Sequence, residues 1–217
     1  MQKMKSKIHQ LNRSIVALLV LLLSAPSLVW AQKILIIGDS LTEGYGVAKE
    51  KAYPALVEQK LNAQKKSSEP WQVINSGISG STTASATSRV KWGLKAQPQV
   101  LVLALGANDV LRGFPIKEIR QNLDSALAVI QAESQVRPLK IMLFGMLAPP
   151  NYGKAYTEDF AKMYRDLAQK YHCRLFPFLL EGVAGHPELN QADGLHPNEK
   201  GHQILAANVF RFLQEDL

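Results

Sequence analysis

The sequence contains a single cysteine, Cys173, among its 217 residues. One cysteine excludes an internal disulfide and any Cys-x-x-Cys metal or redox motif. Aromatic residues make up only 7% of the chain and charged residues 20%. No basic stripe interleaved with aromatic residues is present, so we expect no nucleic-acid partner. Polar runs and repeats that would indicate disorder are also missing.

Several catalytic and nucleotide-binding signatures are absent as well. No Gly-x-Ser-x-Gly elbow occurs, because Thr42 stands where its second glycine would be. The Gly44-x-Gly46 pair does not continue into a dinucleotide-binding motif, because Lys49 occupies the last place. No His-x-x-x-His pair is found, and a catalytic metal usually needs three protein ligands. The sequence therefore predicts neither a metal nor a cofactor.

Residues 1–31 have the order of a secretory signal peptide. Their four basic residues account for more than half of the formal charge of +7. An apolar run, Ile15–Leu23, follows them, and Val29-Trp30-Ala31 offers a small-residue cleavage site before Gln32. A membrane anchor is the alternative, but the apolar run is short of the roughly 20 residues that span a bilayer. We expect export to a bacterial periplasm or full secretion, with no stable membrane anchor after cleavage.

The mature chain, residues 32–217, alternates short apolar runs with segments of helical period. The runs predict five buried strands, at Lys33–Ile37, Trp71–Asn75, Val100–Leu105, Lys140–Phe144 and Arg174–Phe178. Four intervening or following segments carry apolar residues at helical spacing, around Leu56, Leu123, Phe160 and Leu205. This alternation predicts one α/β domain with a parallel sheet covered on both faces.

A polar turn that contains glycine, or a polar loop, follows each predicted strand. These segments are Gly38–Leu41, Ser76–Ser81, Gly106–Asp109, Ala148–Gly153 and Asp193–His196. Sites in open α/β sheets form beyond the carboxyl ends of the strands. We therefore expect all five segments to meet at one edge of the sheet.

Ser40, Asp193 and His196 carry the chemistry that these segments suggest. Across one turn of chain, the Asp193 carboxylate can reach the imidazole Nδ1 of His196, which leaves Nε2 to take a proton from a serine. Each residue also has a simpler reading. Ser40 can be a helix N-cap, and the Asp-x-x-His pair can be a capping aspartate beside a surface histidine, or half of a metal site. The other histidines of the mature chain are expected at the surface: His172, His186 and His202.

The candidate oxyanion hole consists of the Ser40 N–H, the Gly80 N–H and the Asn108 side-chain amide. Glycine suits position 80 because a Cβ there is expected to crowd the substrate. Taken singly, Gly80 and Asn108 are also ordinary turn residues. Asp39 and Asp109, which lie beside these groups, are interpreted as hydrogen-bonding partners of the loop backbones.

Four of these blocks together resemble the SGNH (GDSL) hydrolase family. They are Gly38–Leu41, Gly80, Gly106–Asp109 and Asp193–Pro197, and the resemblance runs from about Ile34 to Phe212. It implies a flavodoxin-like three-layer α/β/α sandwich whose five-stranded parallel sheet has the order 2-1-3-4-5.

The resemblance also implies roles for individual residues. Ser40, Asp193 and His196 would form the catalytic triad, with Gly80 and Asn108 as oxyanion donors beside Ser40. Residues expected near the substrate are Asp39, Leu41, Asn151 and Tyr152. The resemblance places position 43 at the rim of the acyl pocket, and Glu43 is larger than the residue that is usual there.

The function implied is hydrolysis of carboxylic esters, thioesters and lysophospholipids through an acyl-enzyme, without a cofactor. Two alternatives stay open at the level of sequence. One is a carbohydrate O-acetylesterase on the same scaffold. The other is a non-catalytic flavodoxin-like protein that binds a phosphate or a flavin at the Asp39–Thr42 turn.

Overall fold

The computed structural model describes residues 31–64 and 69–217, and residues 31–217 form one compact unit. The predicted signal peptide lies outside the described residues except for Ala31. Five strands form one parallel sheet with the predicted order 2-1-3-4-5. They are β1 (Gln32–Gly38), β2 (Trp71–Gly77), β3 (Val100–Ala104), β4 (Lys140–Phe144) and β5 (Arg174–Phe176).

Seven α-helices accompany these strands in the described part of the chain. They are α1 (Ser40–Glu43), α2 (Tyr53–Ala63), α3 (Ala86–Gly93), α4 (Ala107–Leu111), α5 (Ile116–Ser134), α6 (Lys154–Lys170) and α7 (Glu199–Gln214). The four long helices α2, α5, α6 and α7 coincide with the predicted helical segments. The pair α2 and α7 packs together, and α3, α5 and α6 pack together, so helices lie on both sides of the sheet. The predicted α/β/α sandwich is confirmed.

The centre of the sheet holds the core. Ile34–Ile37 and Val100–Leu103 are each at most 1% exposed, as expected for parallel strands covered on both faces. The register aligns the strand ends, since Gly38 pairs with Gly77 on one side and with Ala104 on the other. The turns after β1, β2 and β3 therefore leave the sheet at the same level, which brings the polar segments together.

His202 is buried, so its predicted place at the surface is wrong. It lies on α7 in the face that includes Leu205 and Val209, and it is 1% exposed. Its Nδ1 accepts a hydrogen bond of 3.2 Å from the Tyr53 N–H at the start of α2. Burial lowers the pKa of His202 to about 4. His172 is exposed, as predicted.

No helix within residues 31–64 and 69–217 has the length and apolar character needed to cross a membrane.

Candidate active site

Ser40 begins the short helix α1, directly after the end of β1. A Cβ on Gly38 would lie 2.0 Å from the Thr42 hydroxyl, so only glycine allows the chain to turn this tightly. Asp39 is the N-cap of α1, and its carboxylate accepts a hydrogen bond of 3.0 Å from the Leu41 N–H. Because Asp39 caps the helix, the Ser40 hydroxyl is free for another partner, and the reading of Ser40 as the cap is excluded.

Asp193 and His196 lie together in the loop before α7. The Asp193 Oδ1 accepts from the backbone N–H groups of Leu195 and His196, at 2.9 and 3.0 Å. Its Oδ2 lies 2.7 Å from the imidazole Nδ1 of His196. The hydrogen bond from the His196 backbone, followed by the one with its side chain, lowers the pKa of Asp193 to about 2. The carboxylate is thus ionised at neutral pH and fixed against the imidazole.

The other nitrogen of the His196 ring, Nε2, lies 2.9 Å from the Ser40 hydroxyl oxygen. The Tyr45 ring packs against the imidazole at a centroid distance of 4.7 Å. Carboxylate, imidazole and hydroxyl therefore form one continuous hydrogen-bonded series. In such a series the imidazole can accept the hydroxyl proton while the carboxylate stabilises the resulting charge.

The two neighbouring aspartates are buried and bind loop backbones, as the sequence predicted. Burial raises the pKa of Asp39 to about 6, an effect that the hydrogen bond from the Leu41 N–H reduces. Asp109, at the start of α4, is fully buried and accepts from the Thr83 N–H and hydroxyl.

Gly80 is the third residue of a turn closed by a 3.1 Å hydrogen bond from the Ser81 N–H to the Ile78 carbonyl. Its φ of +75° is that of a type II turn, which favours glycine. A Cβ on Gly80 would lie 3.5 Å from the Arg112 guanidinium, an ordinary contact. The positive φ therefore favours glycine at this position, and a Cβ would meet no close protein neighbour there.

Of the three residues that carry the candidate oxyanion donors, Ser40 and Asn108 line the cleft, and Gly80 is not among its lining residues. Among the described residues, the backbone N–H groups of Ser40 and Gly80 have no acceptor. The Asn108 amide donates one hydrogen to the Ser81 carbonyl at 3.1 Å, which leaves its second hydrogen available. Asn108 also lines the same cleft as Ser40 and His196. Three donors are therefore available for an oxygen that carries negative charge.

The cleft beside Ser40 has a volume of about 580 Å³ and a mainly apolar lining. Its apolar side chains include Leu41, Val110, Leu111, Met146, Leu147, Phe178, Leu180 and Leu195. Of the four residues predicted near the substrate, Leu41 lines this cleft, while Asp39, Asn151 and Tyr152 are not among its lining residues. Tyr152 packs instead against the Tyr156 ring.

Sequence reasoning missed Met146, Leu147, Phe178 and Leu180 as parts of the site. The signal for them was weak, because they are ordinary apolar residues. The one indication is their position in the sequence, shortly after β4 and β5, because residues that follow the strands lie at the edge of the sheet where the site forms. In the described part of the chain, no cluster of three or more His, Cys, Asp or Glu side chains is suited to a metal ion.

A hydroxyl, an imidazole and a carboxylate in series, at the carboxyl edge of a parallel sheet, form the arrangement that serine hydrolases use. Comparison with known families agrees with this class. Residues 36–204 match the model of the GDSL-like Lipase/Acylhydrolase family, so the chain belongs to that family, as the four motifs predicted.

Individual relatives are similar over most of the chain. An arylesterase of Vibrio mimicus is 36% identical, over 86% of this chain and 90% of the relative. The thioesterase 1/protease 1/lysophospholipase L1 of Escherichia coli K12 is 37% identical, over 85% of this chain and 84% of the relative. The crystal structure of the psychrotrophic esterase EstA from Pseudoalteromonas sp., inhibited by monoethylphosphonate, has a TM-score of 0.76 and 31% identity, over 85% of this chain and 97% of EstA.

Proposed function

We propose that Ser40 is the nucleophile of an esterase and thioesterase, with His196 as its general base and Asp193 as the third member of the triad. The observation that carries this proposal is the unbroken series from Asp193 Oδ2 to His196 Nδ1, at 2.7 Å, and from His196 Nε2 to Ser40 Oγ, at 2.9 Å. These distances are within the range of hydrogen-bond contact that proton transfer requires.

The reaction has two halves. His196 takes the proton of the Ser40 hydroxyl as Oγ attacks the acyl carbonyl, and the carbonyl oxygen becomes negatively charged. The collapsing tetrahedral intermediate releases an alcohol or a thiol, which receives the proton from His196, and an acyl-enzyme remains. A water molecule, deprotonated by His196, then attacks the acyl-enzyme, and the proton returns to Ser40 as the free acid leaves.

The negative charge of both intermediates falls on the oxygen that faces Gly80 and Asn108. The N–H groups of Ser40 and Gly80 have no other acceptor among the described residues, so they are free to bind that oxygen. The Asn108 amide contributes its second hydrogen. Because these donors are held before the reaction begins, they stabilise the transition state without reorganisation.

Apolar acyl groups fit the cleft best. It is about 580 Å³ in volume, and its lining is mainly aliphatic, so an acyl chain gains free energy by leaving water. The arylesterase of Vibrio mimicus and the thioesterase 1/protease 1/lysophospholipase L1 of Escherichia coli support carboxylic esters, thioesters and lysophospholipids as substrates. A carbohydrate O-acetylesterase would need a narrow polar pocket, so we do not favour that alternative.

A non-catalytic phosphate binder is disfavoured by the charge at the start of α1. The Asp39 carboxylate already accepts the Leu41 N–H there. A helix N-terminus binds phosphate through free backbone N–H groups, and Asp39 both occupies one of them and repels an anion when ionised.

We also propose that the protein is exported, to the periplasm or beyond the cell, on the strength of the basic and apolar order of residues 1–31. CoA esters are cytosolic, so lysophospholipids or external esters suit an exported enzyme better than acyl-CoA does.

Labelling with a fluorophosphonate probe tests the triad. We expect the probe on Ser40 of the wild-type protein and none on Ser40→Ala, with Ser88→Ala, an exposed serine of α3, as the matched control. Peptide mapping that finds the label on Ser76, Ser79 or Ser81 contradicts the assignment. Hydrolysis of p-nitrophenyl esters of increasing chain length, beside a lysophospholipid, then measures the acyl preference.

A further inference from the structure

The turn that carries Gly80 is held by two side chains that the reaction itself does not use. The Glu43 Oε2 accepts from the Ser79 N–H at 2.7 Å and also from the Ser79 hydroxyl. On the other side, the Arg112 Nη2 donates to the Gly80 carbonyl at 2.9 Å. A carboxylate and a guanidinium thus bind the backbone directly before and directly after the Gly80 N–H.

The peptide between Ser79 and Gly80 needs such restraint. In a four-residue turn this central peptide has two common orientations, types I and II, which point the N–H of the third residue in opposite directions. Glycine tolerates both signs of φ at that residue. Gly80 adopts the positive φ of +75°, but a glycine can also adopt the negative φ of the other orientation.

Glu43 is well placed to impose that restraint, because its backbone is fixed to the sheet. The Asn75 side-chain amide donates to the Thr42 carbonyl at 2.8 Å and to the Glu43 carbonyl at 3.4 Å. A Cβ on Gly77 would lie 2.1 Å from the Glu43 nitrogen, so the two backbones are in direct contact. The carboxylate therefore reaches the turn from a fixed point at the end of β2.

We propose that Glu43 and Arg112 are positioning residues that hold the Gly80 N–H toward the oxyanion. Glu43 fixes Ser79, Arg112 fixes the Gly80 carbonyl, and together they keep the intervening peptide from turning over. The proposal rests on the proposed function, because the orientation of this N–H matters only if an oxyanion forms beside Ser40.

Substitution of Glu43 separates this role from a structural one. In Glu43→Ala we expect kcat to fall about 10- to 100-fold, less than the 10²- to 10³-fold that complete removal of an oxyanion donor costs, while KM stays within about twofold. Glu43→Gln keeps an oxygen that accepts from the Ser79 N–H, so we expect it to recover most of kcat.

Glu58→Ala is the matched control. The Glu58 carboxylate also accepts from a backbone N–H of β2, that of Val73, at 2.6 Å, but at the opposite end of the strand from the site. We expect this variant to lose a similar amount of thermal stability and to keep the kcat of the wild type.

Arg112→Ala should act on the same peptide. We expect a similar loss of kcat. The kcat of the double variant Glu43→Ala/Arg112→Ala should be no more than about twofold below that of the slower single variant, because either change alone releases the turn. The inhibition constant of an alkyl boronic acid, whose tetrahedral adduct places an oxygen in the oxyanion hole, should rise in parallel with the loss of kcat.

Two results overturn the proposal: kcat within twofold of the wild type in folded Glu43→Ala, or a Glu43→Gln variant as slow as Glu43→Ala. Failure of the proposed function is distinguishable from both, because it appears as wild-type protein that takes no fluorophosphonate on Ser40.

Discussion

The buried carboxylate of Asp109 binds Thr83 through both of its oxygens. It accepts from the Thr83 N–H at 2.9 and 3.2 Å and from the Thr83 hydroxyl at 2.6 Å. Asp109 follows Asn108 on α4, and Thr83 follows the Gly80 turn. This buried contact therefore joins the segment that carries Gly80 to the helix that carries Asn108.

Asp109→Ala should destabilise the protein strongly. It leaves the Thr83 N–H and hydroxyl buried without their acceptor, and each such loss costs about 1–3 kcal/mol. Urea unfolding should show a total loss of about 2–6 kcal/mol, and kcat of the folded fraction should also fall because Asn108 loses its support. An unfolding free energy within 1 kcal/mol of the wild type would contradict this reading of the contact.

Asn108→Ala should lose turnover and retain substrate binding. Its amide binds the carbonyl oxygen most strongly once that oxygen is charged, so kcat is affected more than KM. We expect kcat to fall by roughly 10²- to 10³-fold. Asn108→Asp should be as slow or slower, because a carboxylate repels the oxyanion. Kinetics and thermal unfolding on the same preparations check this, and folded Asn108→Ala with near-normal kcat would remove Asn108 from the site.

Asp39→Asn should stabilise the protein more at pH 7 than at pH 4. Burial raises the pKa of Asp39 from 3.8 to about 6, so between pH 3.8 and pH 6 the folded protein binds more protons than the unfolded chain. The contribution of Asp39 to the free energy of unfolding is therefore highest below pH 4 and is lost as the pH rises through 6. About two pKa units correspond to roughly 3 kcal/mol.

Asparagine cannot ionise, yet it still offers an oxygen to the Leu41 N–H. We therefore expect the difference in unfolding free energy, variant minus wild type, to grow by up to about 3 kcal/mol from pH 4 to pH 7. Urea unfolding at several pH values measures it. The pKa of His202, lowered to about 4, has the opposite effect on stability, but it is common to both proteins and cancels. A difference that does not vary with pH would refute the buried, ionisable state of Asp39.

The mature protein should begin at Gln32 and be recovered outside the cytoplasm. Cleavage after Ala31 follows from the basic, apolar and small-residue order of the first 31 residues. N-terminal sequencing of protein expressed from the full-length gene checks the position, and fractionation checks the compartment. Protein that keeps Met1 would show that the segment is not a cleaved signal.

Most of the strands and helices could be predicted because each is specified by the apolar pattern of a short stretch of sequence. The strands β1 to β5 start within one residue of their predicted positions, and their ends differ by two residues at most. No apolar period predicted the helices α1, α3 and α4, since segments of four to eight residues contain too few turns to display one. A helix start near Ser40 was indicated only by its possible role as an N-cap. The burial of His202 was missed for another reason: a histidine on an apolar helical face is buried only if a neighbour, here the Tyr53 N–H, satisfies its nitrogen.

The sequence by itself determined the succession of strands and helices along the chain, the Gly38–Leu41 and Asp193–His196 motifs and the family that they indicate. These depend on short-range spacing and apolar period, which a linear chain displays directly. Only the tertiary structure decided that Ser40 and His196, separated by 156 positions, lie 2.9 Å apart, and that Glu43 and Arg112 bind the same turn. Distances of this kind arise from sheet register and strand order, which place residues remote in sequence at one edge and which no local pattern encodes.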